Sequence, residues 1–240
     1  LRKKDDLVVG NVIKRYRVLS STNDFLKARH GEFPTGIVVV AAEQTRGRGR
    51  FSRKWHSPAG GLWFSVLFRN TVPSKSFLLA FAAAVSVTQA MRGLGVHAAI
   101  KWPNDVYVGK RKVCGILPES VVSGRLQDVV VGIGINVNNR CPLPSAITMR
   151  MCLGKRIDVD GFMGSVLVHY NRYYSMLLGG KSGMIIRDWN KCWGWRGRRV
   201  CLVAVNRTVR GVAEGISKDG SLVIRTAGGK KVFVIEGDYC

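Results

Sequence analysis

The cations best placed for chemistry lie in one stretch: Gln44-Thr45-Arg46-Gly47-Arg48-Gly49-Arg50-Phe51-Ser52-Arg53-Lys54-Trp55. Gly47 and Gly49 permit close backbone approach, so successive N–H groups and guanidinium groups can converge on phosphate or carboxylate oxygens. The closing Gly-Lys-Ser/Thr of a P-loop is missing, which sets this segment apart from that nucleotide site. A second group, Lys101-Trp102-Pro103-Asn104-Asp105 with Arg111-Lys112-Val113-Cys114-Gly115 close behind, brings two lysines, an amide and a carboxylate around a short hairpin. In a third, Gly132-Ile133-Gly134-Ile135-Asn136, glycines inside a strand accommodate a bulge or the close approach of a ligand or another backbone. The third glycine and following helix of a dinucleotide fingerprint are lacking. Finally, Ser20-Ser21-Thr22-Asn23-Asp24 offers hydroxyl and amide groups just before an apolar turn.

These residues need a frame. Hydroxyl and amide caps before Phe25-Leu26 predict a helix start. Strands are expected at 37–42, 61–68, 97–101, 105–108, 113–119 and 128–137, with a turn at Lys110-Arg111, and helices at 77–92 and 160–178. The connections are too short for repeated strand–helix–strand crossovers, so the expected class is α+β, a mixed, mostly antiparallel sheet with helices. After the joint at 179–183 the pattern changes to short runs at 200–205, 209–215, 222–226 and 231–235, separated by tight turns, which fits a small β-barrel. The expected domains are 1–190 and 191–240.

With 240 residues and 46% hydrophobic content the chain can bury a substantial core. The apolar stretch 77–91 is shorter than the ~20 residues of a membrane span and reads as a buried helix. Residues 1–6 have no apolar signal core, so the default address is cytoplasmic, with no membrane. Six cysteines lie apart without a CxxC pair, which argues against a zinc cluster and predicts reduced, structural thiols. No protein-borne metal site is expected. His30, His56, His97 and His169 are scattered and read as surface or packing residues, and Cys114 as a small buried side chain. A net charge of +23 points to an anionic partner without choosing among nucleic acid, lipid and acidic protein.

The five motifs in order (Ser21-Thr22-Asn23, the Arg-Gly loop ending in Lys54-Trp55, Lys101 to Asp105, Arg111 to Leu117, and Gly132 to Asn136) together resemble the catalytic domain of biotin–protein ligases, with an SH3-like C-terminal barrel. The resemblance implies that ATP activates biotin to biotinyl-5'-AMP, which then modifies a lysine of a biotin carboxyl carrier protein or domain. It also implies roles. Ser21, Thr22, Asn23 and Gln44 would read the ureido end of biotin. Gly47, Arg48, Gly49 and Arg50 would lie along it toward its carboxylate, with Lys112 and Gly115 at the reacting end. Arg50, Arg53 and Lys112 would offset charge at the α-phosphate while magnesium holds the departing pyrophosphate. Trp55 would cover the adenine side, and Lys101, Asn104, Asp105 and Asn136 would belong to the nucleotide end.

Phe51 and Ser52 stand where many relatives have arginine and glycine. Only about twenty residues precede Ser20, too few for the helix-turn-helix module of the longer relatives, so no sequence-specific DNA binding is expected. Edge-to-edge pairing into a homodimer stays open. Two other readings compete: a basic nucleic-acid-binding protein, whose affinity would fall steeply with salt, and a ligase acting on lipoate through the same chemistry.

Overall fold

The structure, a computed structural model, describes residues 8–123, 125–141, 143–204 and 207–240. The reading of residues 1–6 and Val205 of the expected run 200–205 fall outside these. The first unit is built from β1 (Ile13–Leu19), α1 (Thr22–Ala28), β2 (Val38–Gln44), β3 (Leu62–Thr71), α2 (Ser76–Gly93), β4 (Ala98–Lys101), β5 (Asp105–Val108), β6 (Arg111–Ser123) and β7 (Leu126–Ile135). Its strands form one sheet in the order β1-β2-β3-β7-β6-β5-β4. Only β1 and β2 run parallel, joined over α1; every other neighbour is antiparallel. Helices α3 (Met149–Leu153), α4 (Val159–Leu178) and α5 (Ser182–Cys192) follow. Strands β8 (Arg199–Ala204), β9 (Arg207–Ile216), β10 (Leu222–Arg225), β11 (Lys231–Val234) and β12 (Asp238–Tyr239) then make a second, antiparallel sheet. The expected α+β class with a small β unit after it is what the chain adopts.

Alternation along β3 explains the layering. Leu62, Phe64, Val66 and Phe68 join the larger core, while Leu67 enters a smaller cluster with Leu26 of α1 and Val39 of β2. The period of two sends successive side chains to opposite faces, so the sheet is covered on both. The larger core takes in α2, where Leu78, Leu79, Phe81, Val85, Val87 and Met91 are all under 5% exposed. Burying each such side chain contributes about 1.5–3 kcal/mol. By length and composition Pro73–Gly93 could cross a membrane, but 72% of its apolar window is buried inside the fold. On the other face, Ser21 caps α1, its hydroxyl accepting from the Asp24 N–H at 3.3 Å.

The structure departs from the sequence reading in several places. Strand β1 and helices α3 and α5 were not anticipated: β1 is charged and largely exposed, without a clean alternation. The hairpin turn before β6 is Gly109-Lys110, with Gly109 at φ +60°, rather than Lys110-Arg111. Residue 190 falls inside α5, whose Trp189 stacks on Phe81 of α2 at 4.9 Å. Cys201 and Cys240 are joined in a disulfide, which corrects the expectation of six reduced thiols; Cys114, Cys141, Cys152 and Cys192 are free. The two partners lie 39 positions apart, so spacing alone gave no sign of the pairing.

Candidate active site

The α1 face of the sheet carries a floor in which three glycines leave open ground. Across β5, β6, β7 and β3, Asp105, Gly115, Gly134 and Trp63 lie in one row, and Leu117, Gly132 and Ser65 in the next. The pairing of β7 with both neighbours runs through 129–135 without a register shift, so Gly132 and Gly134 mark no bulge. What comes close is other side chains. A Cβ on Gly132 would overlap the Asn23 amide, one on Gly134 would stand 2.5 Å from Trp55 Nε1, and one on Gly115 would press on Lys112 Cε at 3.3 Å.

Above this floor residues 44–57 fold back as a narrow flap, closed by bridges between Gln44 and Ser57 and between Arg48 and Lys54. Gly47 lets the two arms meet, since a Cβ there would stand 2.6 Å from the Trp55 carbonyl oxygen. At the tip, Phe51 and Ser52 both take positive φ, 54° and 56°. That region costs a residue with a side chain roughly 1–2 kcal/mol. The departure noted in the sequence is thus a place where the backbone adopts a conformation easier for glycine. Arg50 and Arg53 pack their guanidinium groups against the Phe51 ring, 4.8 and 5.6 Å from its centroid.

Floor and flap enclose a cavity of about 470 Å³. One end is balanced in charge and rich in hydrogen bonds. The Thr22 N–H and hydroxyl donate to Gln44 Oε1 at 2.8 and 3.1 Å, Gln44 Nε2 donates to Ser57 Oγ at 2.9 Å, and Ser65 Oγ lies 2.6 Å from Asn23 Oδ1. Asn23 Nδ2 donates to Glu119 at 2.7 Å, and Lys27 Nζ lies 2.6 Å from the same carboxylate. The Arg48 guanidinium bridges Asp24 and Glu119, the latter at 2.9 Å. Its hydrogen bond draws the Asp24 carboxyl below its ordinary value. Burial alone would raise Glu119, but hydrogen bonds from Lys27, Asn23 and Arg48 outweigh it and lower the pKa.

The other end is cationic. Lys112 Nζ pairs with Asp105 at 2.7 Å and lies 5.1 Å from the centre of the Trp55 ring. Lys101 Nζ sits among Tyr239, Tyr107 and Trp195 at 4.5, 5.0 and 5.7 Å, and burial lowers its pKa. The Tyr107 hydroxyl is pushed up to about 12, first by burial and then by Asp105. Arg50 pairs with Glu236 at 2.8 Å and Arg53 with Asp238 at 2.6 Å, so the second sheet contributes to this wall. Between the two ends, Trp55 Nε1 is buried and has no acceptor among the described residues.

Of the residues anticipated from sequence, Ser21, Thr22, Asn23, Gln44, Arg48, Gly49, Arg50, Arg53, Trp55, Lys101, Asn104, Asp105, Lys112 and Gly115 all line this cavity. Gly47 does not; it serves the inner packing of the flap. Neither does Asn136, which is buried and accepts from Asn139 Nδ2 at 3.0 Å. Asn104 lines the wall but gives its amide to the Ile116 carbonyl. Sequence reasoning missed Ser65, Glu119, Asp238 and Tyr239. Glu119 could have been found, because it alternates with Gly115 and Leu117 on one face of β6; nothing local marked Asp238. Cys114 is fully buried, and burial pushes its thiol up, in keeping with a packing role. Among the described residues no group of three His, Cys, Asp or Glu side chains could hold a metal ion.

Comparisons with known proteins point one way. Residues 15–136 match the biotin/lipoate A/B protein ligase family, and residues 197–238 match the biotin protein ligase C terminal domain. The bifunctional ligase/repressor BirA of Bacillus subtilis is 34% identical over 238 residues, covering 94% of this chain and 73% of that protein. A biotin–[acetyl-CoA-carboxylase] ligase of Paracoccus denitrificans is 31% identical, over 81% of this chain and 86% of its own length. Among solved structures, the biotin protein ligase of Aquifex aeolicus in complex with biotin and ATP superposes with a TM-score of 0.83 at 29% identity, over 95% of this chain and 97% of that one.

Proposed function

The chain belongs to the biotin/lipoate A/B protein ligase family, and within that membership we propose how its cavity is used. It is a biotin–protein ligase: it joins biotin and ATP to give biotinyl-5'-AMP and pyrophosphate, then passes biotin to a lysine of an acceptor protein. The match of residues 197–238 to the domain of biotin protein ligases supports biotin over lipoate.

The observation that carries the division of labour is one cavity with a charge-balanced hydrogen-bonding end, a glycine floor and a cationic end. A ureido group has no charge and needs paired donors and acceptors when buried, which Ser21, Thr22, Asn23 and Gln44 supply. The biotin carboxylate then lies toward Lys112. For reaction, a carboxylate oxygen attacks the α-phosphorus and the bond to the departing pyrophosphate breaks. Both reactants are anions, so their approach needs cations held in place beforehand. Lys112 acts from the floor and Arg50 and Arg53 from the flap. Lys101 and Asp105 take the nucleotide side, and magnesium arrives with the nucleotide as MgATP. Arg48 contributes differently: its guanidinium is engaged by Asp24 and Glu119, so it pins the flap and leaves its backbone for biotin.

The flap also keeps water from the mixed anhydride. Trp55 lies across the glycines, with an indole N–H free for a ligand acceptor. In the second step the neutral amine of the acceptor lysine attacks the activated carbonyl, AMP departs and the amine loses a proton; no enzyme nucleophile is called for. The acceptor is a biotin carboxyl carrier domain, and the cellular site is the cytoplasm, where ATP and such acceptors meet. A catalytic unit running through α5 and a second unit from β8 onward are part of the same proposal.

Labelled ATP incubated with biotin and magnesium tests this reading. Pyrophosphate release should depend on biotin and be indifferent to lipoate; release driven by lipoate alone would overturn it.

A further inference from the structure

Strand β12 is two residues long, yet together with Glu236 just before it, it touches three of the cations at the nucleotide end. Its ladder with β8 has two positions, Asp238 to Val203 and Tyr239 to Leu202. From this short base Asp238 accepts from Arg53 at 2.6 Å, Tyr239 faces Lys101 at 4.5 Å, and Glu236 just before it accepts from Arg50 at 2.8 Å. So few backbone hydrogen bonds hold a strand weakly. What adds to them is covalent: Cys240, next after β12, is bonded to Cys201 on β8, with the two Cα atoms 5.4 Å apart. Cys240 is exposed and Cys201 half-buried, so a reductant can reach the bond. The free thiols Cys114 and Cys192 are buried.

We propose that the Cys201–Cys240 pair is a thiol–disulfide site that sets the affinity for ATP by fastening the wall from which Asp238 and Tyr239 reach the cavity. The inference rests on the ligase reading for the identity of the nucleotide. A dithiol reductant opens the site in two exchanges. One of its thiolates attacks a cystine sulfur, breaking the Sγ–Sγ bond and forming a mixed disulfide, and its second thiol closes on the first. The protein gains two electrons and two protons as two cysteine thiols, and the reductant leaves as its own disulfide. In the closed state Asp238 and Glu236 each occupy part of a guanidinium, which has five donors and so can hold a carboxylate and a phosphate together. Once β12 loosens, Arg50, Arg53 and Lys101 lose the partners that position them. The hydrogen bonds of the biotin end come from residues 21–119, so they should not respond.

Thiol titration under denaturing conditions should find four thiols in protein purified without reductant and six after dithiothreitol, given the four free cysteines and the one disulfide. Calorimetry with ATP and with biotin separately, on both forms, reads the consequence. ATP affinity should fall roughly five- to tenfold on reduction, as for two part-exposed ion pairs and a cation–π contact weakened together, while biotin affinity stays within about twofold. Cys240→Ser and Cys201→Ser should copy the reduced form and ignore dithiothreitol. Should either variant fail to fold, the reduced intact protein, checked by near-ultraviolet circular dichroism, supplies the comparison. Six thiols before reduction, unchanged or tighter ATP binding after it, or a dithiothreitol effect that persists in Cys240→Ser would each overturn the proposal. The ligase reading fails separately, if neither redox form releases pyrophosphate in response to biotin.

Discussion

Lys112 Nζ lies 2.7 Å from Asp105 Oδ1, at the point where the floor of the cavity meets its cationic end. The carboxylate holds the ammonium group in one place before any substrate arrives, and a preorganised cation is what two approaching anions require. Lys112→Ala should therefore slow single-turnover formation of biotinyl-5'-AMP by about a hundredfold or more, ~3 kcal/mol, while biotin affinity changes much less. Adenylate formation at the normal rate would remove Lys112 from the mechanism.

Gly134→Ala tests the glycine floor. The added Cβ meets Trp55 Nε1 at 2.5 Å, so the indole must move while the strand itself tolerates alanine. The variant should keep its circular dichroism spectrum yet lose about a hundredfold in adenylate formation, the scale of a misplacement of about 1 Å. Normal activity would mean that Trp55 is free to sit elsewhere.

Glu119→Gln should loosen the biotin end. Arg48, Lys27 and Asn23 all converge on this carboxylate, and leaving such partners unpaired costs about 1–3 kcal/mol. A lower midpoint in thermal denaturation and a raised KM for biotin, with KM for ATP little changed, are expected. The wild-type protein should show the same weakness in acid. Asp24 and Glu119 have folded pKa values below their ordinary 3.8 and 4.5. Their contribution is thus complete above that range and is lost as the pH falls through the lowered folded values. Biotin calorimetry at descending pH would read this, and a flat profile there would contradict it.

Lys101 gives the opposite limb. Burial lowers its pKa from the ordinary 10.5, so its charge disappears earlier than usual as the pH rises. Affinity for ATP should decline on the alkaline side before the ordinary lysine range is reached, and Lys101→Arg, which keeps its charge, should flatten that decline. If the wild type and the arginine variant share one alkaline profile, another group is responsible.

The sequence displayed most of the hydrogen-bonding end and the flap because their chemistry is carried by contiguous residues: Ser21-Thr22-Asn23 at a helix cap, the Arg-Gly segment, and a lysine close to a turn. The strands on which these stand were legible where apolar residues run unbroken, as at Val38 to Val40 or Val129 to Val131. Edge strand β1 was not, since its exposed arginines and lysine mask any alternation. Asn136 carried a motif signal but turned out to be buried beside the cavity, its amide oxygen accepting from Asn139. The second sheet's part in the wall was invisible for a different reason. Glu236 and Asp238 meet Arg50 and Arg53 across more than 180 positions, and contacts at such separation leave no local pattern.

The most direct measurement of the central claim is a crystal structure with biotin and a non-hydrolysable ATP analogue. It should place the ureido group against Ser21, Thr22 and Gln44, with the carboxylate and α-phosphate both in reach of Lys112 and the flap closed over them. A flap turned outward above an unfilled cavity, or the vitamin lying at the cationic end, would contradict it.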